Sequence, residues 1–387
     1  MLPQTYVAVD TEALAYNLRL VRTRMAEKVR LMAVVKANAY GHGLELAART
    51  FAEAGADWLG VSTVAEGIKL RQAGLEPPIL VFLPALPDEL EALVEHRLTG
   101  TVVACDEVLA YARATEKLGR AADIHIYVDT GLGRLGSDNS LPDVLAAAGP
   151  YSQIKVTGVY THFGPGQSGA MLEPIDILRP GTSAKAFGTL AKEAIAGAGA
   201  GRIACHCAAS TLFLQAPEVH LDMVRIGTLL YGQKPPEVAA DTMNLKPTFQ
   251  LRSHIVAIHT LPPASPVGYG GEFVTRRETR IATVPVGLAH GLGIAPVSLA
   301  RNLRFALGHY IHRWHSRRGS TQHGPWAQLH GQAVAIIGRI SMDQCCLDVT
   351  DVEAQVGDEV ALETRRVSTN PEIPRLAATI EQDSEKT

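Results

Sequence analysis

The chain lacks most of the features that would take it out of the ordinary globular class. It has only five cysteines, Cys105, Cys205, Cys207, Cys345 and Cys346, in 387 residues. The number is odd and two are adjacent, which argues against a disulfide framework and for reduced thiols in the cytoplasm. No apolar run is long enough to span a bilayer, so no membrane partner is expected. The N-terminus, MLPQTYVAVD, has no basic stretch followed by an apolar one, so no secretory signal is expected. Neither sign of charge dominates: a net charge of −3 gives no electrostatic case for nucleic acid as the main partner. Cys205 and Cys207 flank His206, but their spacing completes no zinc pattern elsewhere in the chain. The alternation there reads instead as buried, inert thiols, and no metal is expected.

What is present is apolar content of 47% with 19% charged residues, in a chain long enough for two domains and a large core. After a short strand at 6–9, one pattern recurs: a brief apolar strand, a polar turn, an amphipathic helix. Strands read at 31–35, 58–61, 79–82, 101–104, 124–128, 156–160, 203–207 and 223–226. Helices fit between them, for example at 64–73, 88–96, 107–118 and 183–198. Eight such alternations point to a (β/α)₈ TIM-like barrel, with an open doubly wound sheet as the structural alternative. Past Tyr231 the texture changes, and β-branched runs at 249–260, 279–286, 332–340 and 346–349 predict a mainly β C-terminal domain. We place the barrel domain at 1–237, the β domain at 238–375 and a frayed tail at 376–387. Residues 296–330 form a basic, aromatic-bearing insertion, read as a solvated segment that packs its own aromatic rings rather than as a nucleic-acid site.

Chemistry in such a barrel gathers at the carboxyl ends of its strands. Lys36 follows the apolar run Leu31–Val35. A lysine there either snorkels to solvent or is kept neutral, for instance as an imine with an aldehyde, and the strand alone leaves both readings open. Asp129 to Arg134 follow the fifth strand, Thr161-His162-Phe163 the sixth, and His206 to Ser210 the seventh. Arg225-Ile226-Gly227-Thr228 closes the eighth. Each strand-end polar residue alone reads as a structural hydrogen-bonder; their joint placement on one rim argues for a site.

The run Val35-Lys36-Ala37-Asn38-Ala39-Tyr40-Gly41-His42-Gly43 resembles the pyridoxal 5'-phosphate (PLP) attachment signature of the alanine racemase family. The other strand-end groups match motifs of that family in the same order. The resemblance implies that Lys36 forms the Schiff base and that Tyr40, Ser210, Gly227 and Thr228 hold the cofactor phosphate. It implies that His162 lies against the cofactor and bridges toward Arg225, that Arg225 faces the pyridine nitrogen, and that Arg134 orients the substrate carboxylate. An arginine opposite that nitrogen would keep it unprotonated and favour proton removal and return over transamination. Tyr269, in Val267-Gly268-Tyr269-Gly270, matches the second base, which in the family comes from the partner subunit of a homodimer. A nearby cation must tune that phenol, and the His162–Arg225 pair is the expected source. In Arg339 to Gln344, Met342 would meet the substrate carboxylate through its backbone and Asp343 would lie near the second base. The implied reaction is amino-acid racemisation, with L- and D-alanine as the default pair. A broad-specificity or basic amino-acid racemase of the same fold is the alternative, with a zinc-assisted dehydratase or a non-catalytic PLP carrier further behind.

The chain departs from the family pattern at five places. Ala209 stands where asparagine is usual, and Tyr127 where a carbamate-bearing lysine is usual. Leu288 replaces an entrance tyrosine, Gly164 to Gln167 replace an acidic segment, and the C-terminal tyrosine has no counterpart. Weaker cofactor affinity and a wider entrance are the expected consequences.

Overall fold

A computed structural model describes residues 3–163, 184–199, 201–238, 243–294 and 326–380. The chain divides into two compact units: Thr11–Pro247, and Met1–Asp10 with Thr248–Thr387. Strand β1 (Thr5–Val9) opens the chain. It is followed by β2 (Arg30–Val34), β3 (Trp58–Val61), β4 (Ile79–Val81), β5 (Gly100–Val102), β6 (Ala122–Tyr127), β7 (Ile154–Tyr160), β8 (Ala204–His206) and β9 (Met223–Ile226).

Strands β2 to β9 are the eight read from the sequence. They pair in parallel as β4-β3-β2-β9 and β5-β6-β7-β8. Parallel bridges at Leu80–Thr99 and Ala209–Arg225 join the two sets, so the ring closes into a barrel. The strands are short and apolar on both faces because one face meets the helices and the other fills the interior. Met32, Trp58, Leu80, Tyr127, Tyr160 and Met223 pack together as a buried cluster. Interior side chains differ in size, and the barrel accommodates this with glycine: a Cβ at Gly158 would stand 2.6 Å from Cε1 of His125. The intervening helices include Val64–Gln72, Leu90–Glu95, Cys105–Leu118 and Ala184–Gly197, close to the sequence reading. Thr63 and Glu66 start the first of these with a reciprocal cap, the arrangement that the Thr63-Val64-Ala65-Glu66 run encodes.

The second unit is mainly β: β10 (Phe249–His254), β11 (Ala257–Leu261), β12 (Pro266–Val267), β13 (Phe273–Val274), β14 (Thr279–Val284), β15 (Trp326–Leu329), β16 (Gln332–Ile337), β17 (Cys345–Asp348), β18 (Glu359–Leu362) and β19 (Arg375–Ala377). Nine strands form one sheet in the order β11-β14-β17-β16-β15-β18-β10-β1-β19, and β12-β13 make a separate pair.

Two boundaries differ from the sequence reading. Strand β1, placed within residues 1–237, runs antiparallel to β10 and parallel to β19, so the first ten residues belong with the β unit. Its alternate side chains Tyr6 and Ala8 pack with Ile380, burial that no local pattern reveals. The tail assigned to 376–387 therefore starts late: Leu376 and Ala377 lie in β19, and the Ile380 amide donates to Asp10 at 3.0 Å. Of the segment 296–330, Trp326–Leu329 is strand β15 and His330 turns out of it; residues 296–325, and the Gly164–Gln167 departure, lie outside the described residues.

Candidate active site

The chain leaves β2 through an unusual turn. Ala37, Asn38, Ala39 and Tyr40 all have φ between 52° and 54°, the left-handed region, although none is glycine. L-residues resist this conformation by roughly 1–2 kcal/mol each, so neighbouring groups must hold it. The Glu66 carboxylate accepts from the amides of Ala37 at 2.7 Å and Asn38 at 3.4 Å, and Asn38 Oδ1 accepts from the Leu44 amide at 2.8 Å. The turn fixes Lys36 at its start and Tyr40 at its end. The left-handed backbone thus begins four residues before Gly41.

Lys36, Tyr40, Arg134, His162, Ser210, Arg225, Gly227 and Thr228 all line one cavity of about 410 Å³ at the strand ends. Its lining carries three cations, Lys36, Arg134 and Arg225, and no Asp or Glu among the described residues. Burial lowers the Lys36 pKa; the Arg134 charge adds to this, Glu66 works against it, and Arg225 lowers it further. The amine is thereby brought closer to its neutral, nucleophilic form. Arg134 is exposed on a loop held by Asp129, which accepts from the amides of Gly131, Leu132 and Gly133 at 3.0–3.2 Å.

Arg225 is 3% exposed and its hydrogen bonds correct one expectation. Its partner is His206, not His162. Nη1 donates to His206 Nδ1 at 2.9 Å and to the His206 carbonyl at 3.0 Å. Nη2 donates to the carbonyls of Thr161 at 2.6 Å and Cys207 at 3.3 Å. His206 Nε2 lies 3.1 Å from His125 Nδ1. Arginine keeps its protons, so it fixes His206 with Nε2–H donating to His125. Burial, then Arg225, pushes His125 down to about 3 and His206 well below its ordinary value, so both are neutral. His162 is likewise lowered to about 3 by burial and the Arg225, Arg134 and Lys36 charges. A neutral His162 supplies no positive charge, so of the expected pair only Arg225 is a cation. Sequence reasoning missed His125, whose signal was its inward position in the alternation of β6. Cys205 and Cys207 are buried thiols, pushed up to about 11 and about 12 by desolvation.

The residues fit pyridoxal phosphate. A Cβ at Gly227 would stand 2.4 Å from Tyr40 Oη, so glycine is what lets that phenol approach the backbone. The Gly227 amide donates to Ser210 Oγ at 3.3 Å. Two hydroxyls and the Gly227–Thr228 backbone thus gather at one end, a set suited to phosphate. No hydrogen bond is made by Arg225 Nε–H to the described residues, which leaves a fixed donor for a ring nitrogen. Ala209 caps its short helix with no side-chain hydrogen bond. Tyr127 Oη is buried without a partner among the described residues, and burial followed by the Asp129 charge raises its pKa.

Tyr269, Met342 and Asp343 lie in the other unit. Tyr269 is 71% exposed and Met342 66%. The Met342 loop packs on the loop of Leu288: the amides of Leu288 and Ala289 donate to the carbonyls of Ser341 at 3.0 Å and Met342 at 2.8 Å. Gly287 is required there, since a Cβ would stand 2.3 Å from the Ser341 carbonyl.

Comparison with known proteins agrees with this geometry. Residues 9–235 match the family profile "Alanine racemase, N-terminal domain" and residues 248–385 match "Alanine racemase, C-terminal domain". Alanine racemase 1 of Oceanobacillus iheyensis is 33% identical over 356 residues, covering 91% of this chain and 85% of that protein. The alanine racemase of Synechocystis is 33% identical over 365 residues, covering 93% and 89%. Among solved structures, the Clostridium difficile alanine racemase complex with cycloserine superposes with a TM-score of 0.78 at 25% identity, over 96% of this chain and 93% of that one. That of Streptomyces lavendulae gives 0.75 at 29% identity, over 96% and 94%. The chain belongs to the alanine racemase family and is a pyridoxal-phosphate-dependent amino-acid racemase.

Proposed function

We propose that the chain interconverts L- and D-alanine by a two-base mechanism, in a homodimer whose sites each take Tyr269 from the partner subunit. The observation that carries the reading is the cavity at the strand ends, which presents a desolvated lysine among cations and, among the described residues, no carboxylate. Its charge suits two anionic groups, a phosphate and an α-carboxylate. Tyr40, Ser210, Gly227 and Thr228 hold the first, and the Arg134 guanidinium fork takes the second. When bound, pyridoxal phosphate acidifies the substrate Cα–H by withdrawing electrons into its ring.

Lys36 Nζ removes or returns the proton on one face of Cα. Its lowered pKa raises the share of neutral amine able to accept that proton. Tyr269 Oη serves the opposite face, which inverts the centre. Arg225, held by four hydrogen bonds, presents Nε–H as a donor that does not release its proton. His162 packs beside the cofactor as a neutral ring, the Met342 backbone meets the carboxylate, and Asp343 stands near Tyr269.

Two experiments test this reading. Borohydride treatment followed by peptide mapping is expected to fix the pyridoxyl mass on Lys36; its appearance elsewhere, or nowhere, overturns the assignment. Mixing the impaired Lys36→Ala and Tyr269→Phe proteins is expected to raise activity above that of either alone through hybrid dimers, and no gain overturns the partner's role. Leu288, 41% exposed where the family has a tyrosine, favours a broader substrate range. A chiral assay across alanine, serine, lysine and arginine decides it, and strict preference for alanine would exclude the wider entrance.

A further inference from the structure

The carboxylate of Glu66 performs two tasks at once. As the third residue of the helix Val64–Gln72 it caps its own N-terminus: Oε2 accepts from the amides of Ser62 at 2.8 Å and Thr63 at 3.4 Å, while Thr63 Oγ1 accepts from the Glu66 amide at 3.2 Å. In an ordinary capping box the other oxygen faces solvent. Here Oε1 reaches the next strand end and accepts from the amides of Ala37 and Asn38, the first two residues of the left-handed turn. One anion therefore ties the segment after β3 to the segment after β2, immediately beyond Lys36.

A related cap elsewhere in the barrel shows that the second task is not inherent in the motif. Glu107 Oε2 accepts from the amides of Val103 at 2.6 Å and Ala104 at 3.3 Å, at the start of the helix Cys105–Leu118. No left-handed turn is tied to it. The two carboxylates thus offer a test and its control within one fold.

We propose that Glu66 is a positioning residue for the racemase reaction: it clamps the strained turn that presents Lys36 and Tyr40. The inference rests on the assignment of Lys36 as the reacting lysine, and goes beyond it by naming what holds that lysine. Four consecutive non-glycine residues stay left-handed because their leading amides point at a carboxylate that is already fixed by its own helix. A glutamine at this position has one acceptor oxygen where glutamate has two, so its NH₂ would face one of the two amide pairs. The charges around Lys36 are Glu66 on one side and Arg134 and Arg225 on the other, with His162 and the Tyr40 phenol also at the cavity wall. Glu66 is the anion that opposes the two arginines.

The test compares Glu66→Gln, Glu107→Gln and the unaltered full-length protein. Competitive labelling with acetic anhydride across a pH series, read at the Lys36 peptide by mass spectrometry after removal of the cofactor with hydroxylamine, gives the titration midpoint of that amine. Glu66→Gln is expected to lower the midpoint by roughly half a unit or more, while Glu107→Gln leaves it in place. Pyridoxal phosphate, added back and followed by absorbance, is expected to bind at least about fivefold more weakly to Glu66→Gln alone, because Tyr40 is no longer held at the end of the turn. Kinetically, kcat falls while the KM for alanine changes little. A fall in Tm for both variants with an unmoved Lys36 midpoint and unchanged cofactor binding would show Glu66 to be only a helix cap and would overturn the proposal. Should Glu66→Gln not fold, Glu66→Asp is used: it keeps the charge but is one methylene too short to bridge both segments, and equal cofactor binding by Glu66→Asp and the unaltered protein overturns the clamp. Labelling does not depend on catalysis, so failure of the racemase assignment, seen as no pyridoxyl on Lys36, is distinguishable from failure of the clamp.

Discussion

The two compact units carry their share of the chemistry in different ways. In the barrel unit, eight residues from five strand ends already converge on one cavity, and all but Arg134 are buried or half-buried. In the β unit, Tyr269, Leu288 and Met342 stand on loops that are firmly packed at the backbone yet expose their side chains. A buried constellation is assembled by the fold itself, since leaving any member unpaired inside the protein is costly. An exposed one leaves its side chains free to reach elsewhere, which accords with the proposal that Tyr269 serves the site of a second copy.

The sharpest way to break that comparison is to remove one group from each side. Lys36→Ala is expected to cost at least about 10⁴-fold in turnover and to abolish cofactor attachment. Tyr269→Phe should cost about 10²–10³-fold and leave attachment intact, as read by chiral chromatography and absorbance spectra. Release of cofactor from Tyr269→Phe would show that the barrel unit does not hold it alone. Next in size is Gly227→Ala, whose methyl group collides with Tyr40 Oη. Overpacking of about 1–3 kcal/mol corresponds to roughly ten- to hundredfold weaker pyridoxal phosphate binding, measured by titration of the cofactor-free protein.

Acid sharpens the comparison further. Among the described residues the buried histidines, His42, His125, His206 and His220, all belong to the barrel unit. His125 has a folded pKa of about 3 against an ordinary 6.5, and His206 is also well below. Between pH 6.5 and about 3 the unfolded chain therefore binds protons that the native chain does not. Stability is complete above pH 6.5 and declines on acidification, at a slope approaching about 1.4 kcal/mol per pH unit for each such histidine. Urea titrations at pH 7 and pH 5 measure it, and His125→Leu should flatten the slope. The smallest effect is expected from Tyr127→Phe, which removes a buried hydroxyl with no described partner and should raise stability by up to about 1 kcal/mol.

Much of the barrel was legible because its information is local. Each strand is a run of apolar residues flanked by polar turns, and Lys36, His162, Ser210 and Arg225 sit where those runs stop. The cofactor run around Lys36 and Tyr40 was readable as a motif. What escaped depends on residues distant in sequence. The pairing of β1 with β10 and β19 joins residues more than 200 positions apart, and no periodicity within Tyr6–Val9 announces it. The choice of His206 over His162 as partner of Arg225 follows from which ring faces inward at the end of β8. The left-handed turn carries no glycine until Gly41, and the carboxylate that accepts from its amides, Glu66, lies beyond the next helix and β3. The loops of Tyr269 and Met342 were found from motif resemblance; their packing was not.

The barrel is not sealed evenly around its circumference. Where β8 meets β9, as where β4 meets β5, the pairing is a single bridge, here between Ala209 and Arg225, with the Arg225 amide donating to the Ala208 carbonyl at 2.9 Å and the Asp222 amide to the Cys205 carbonyl at 3.1 Å. Ser210 and Gly227 flank that seam, so under the proposed reading a phosphate held by both would act as a rivet across it. The cofactor would then have a mechanical duty alongside its chemical one. Loading the protein with pyridoxal phosphate should slow amide hydrogen exchange in peptides spanning 204–228 more than anywhere else in the ring, and raise the melting temperature in proportion to occupancy.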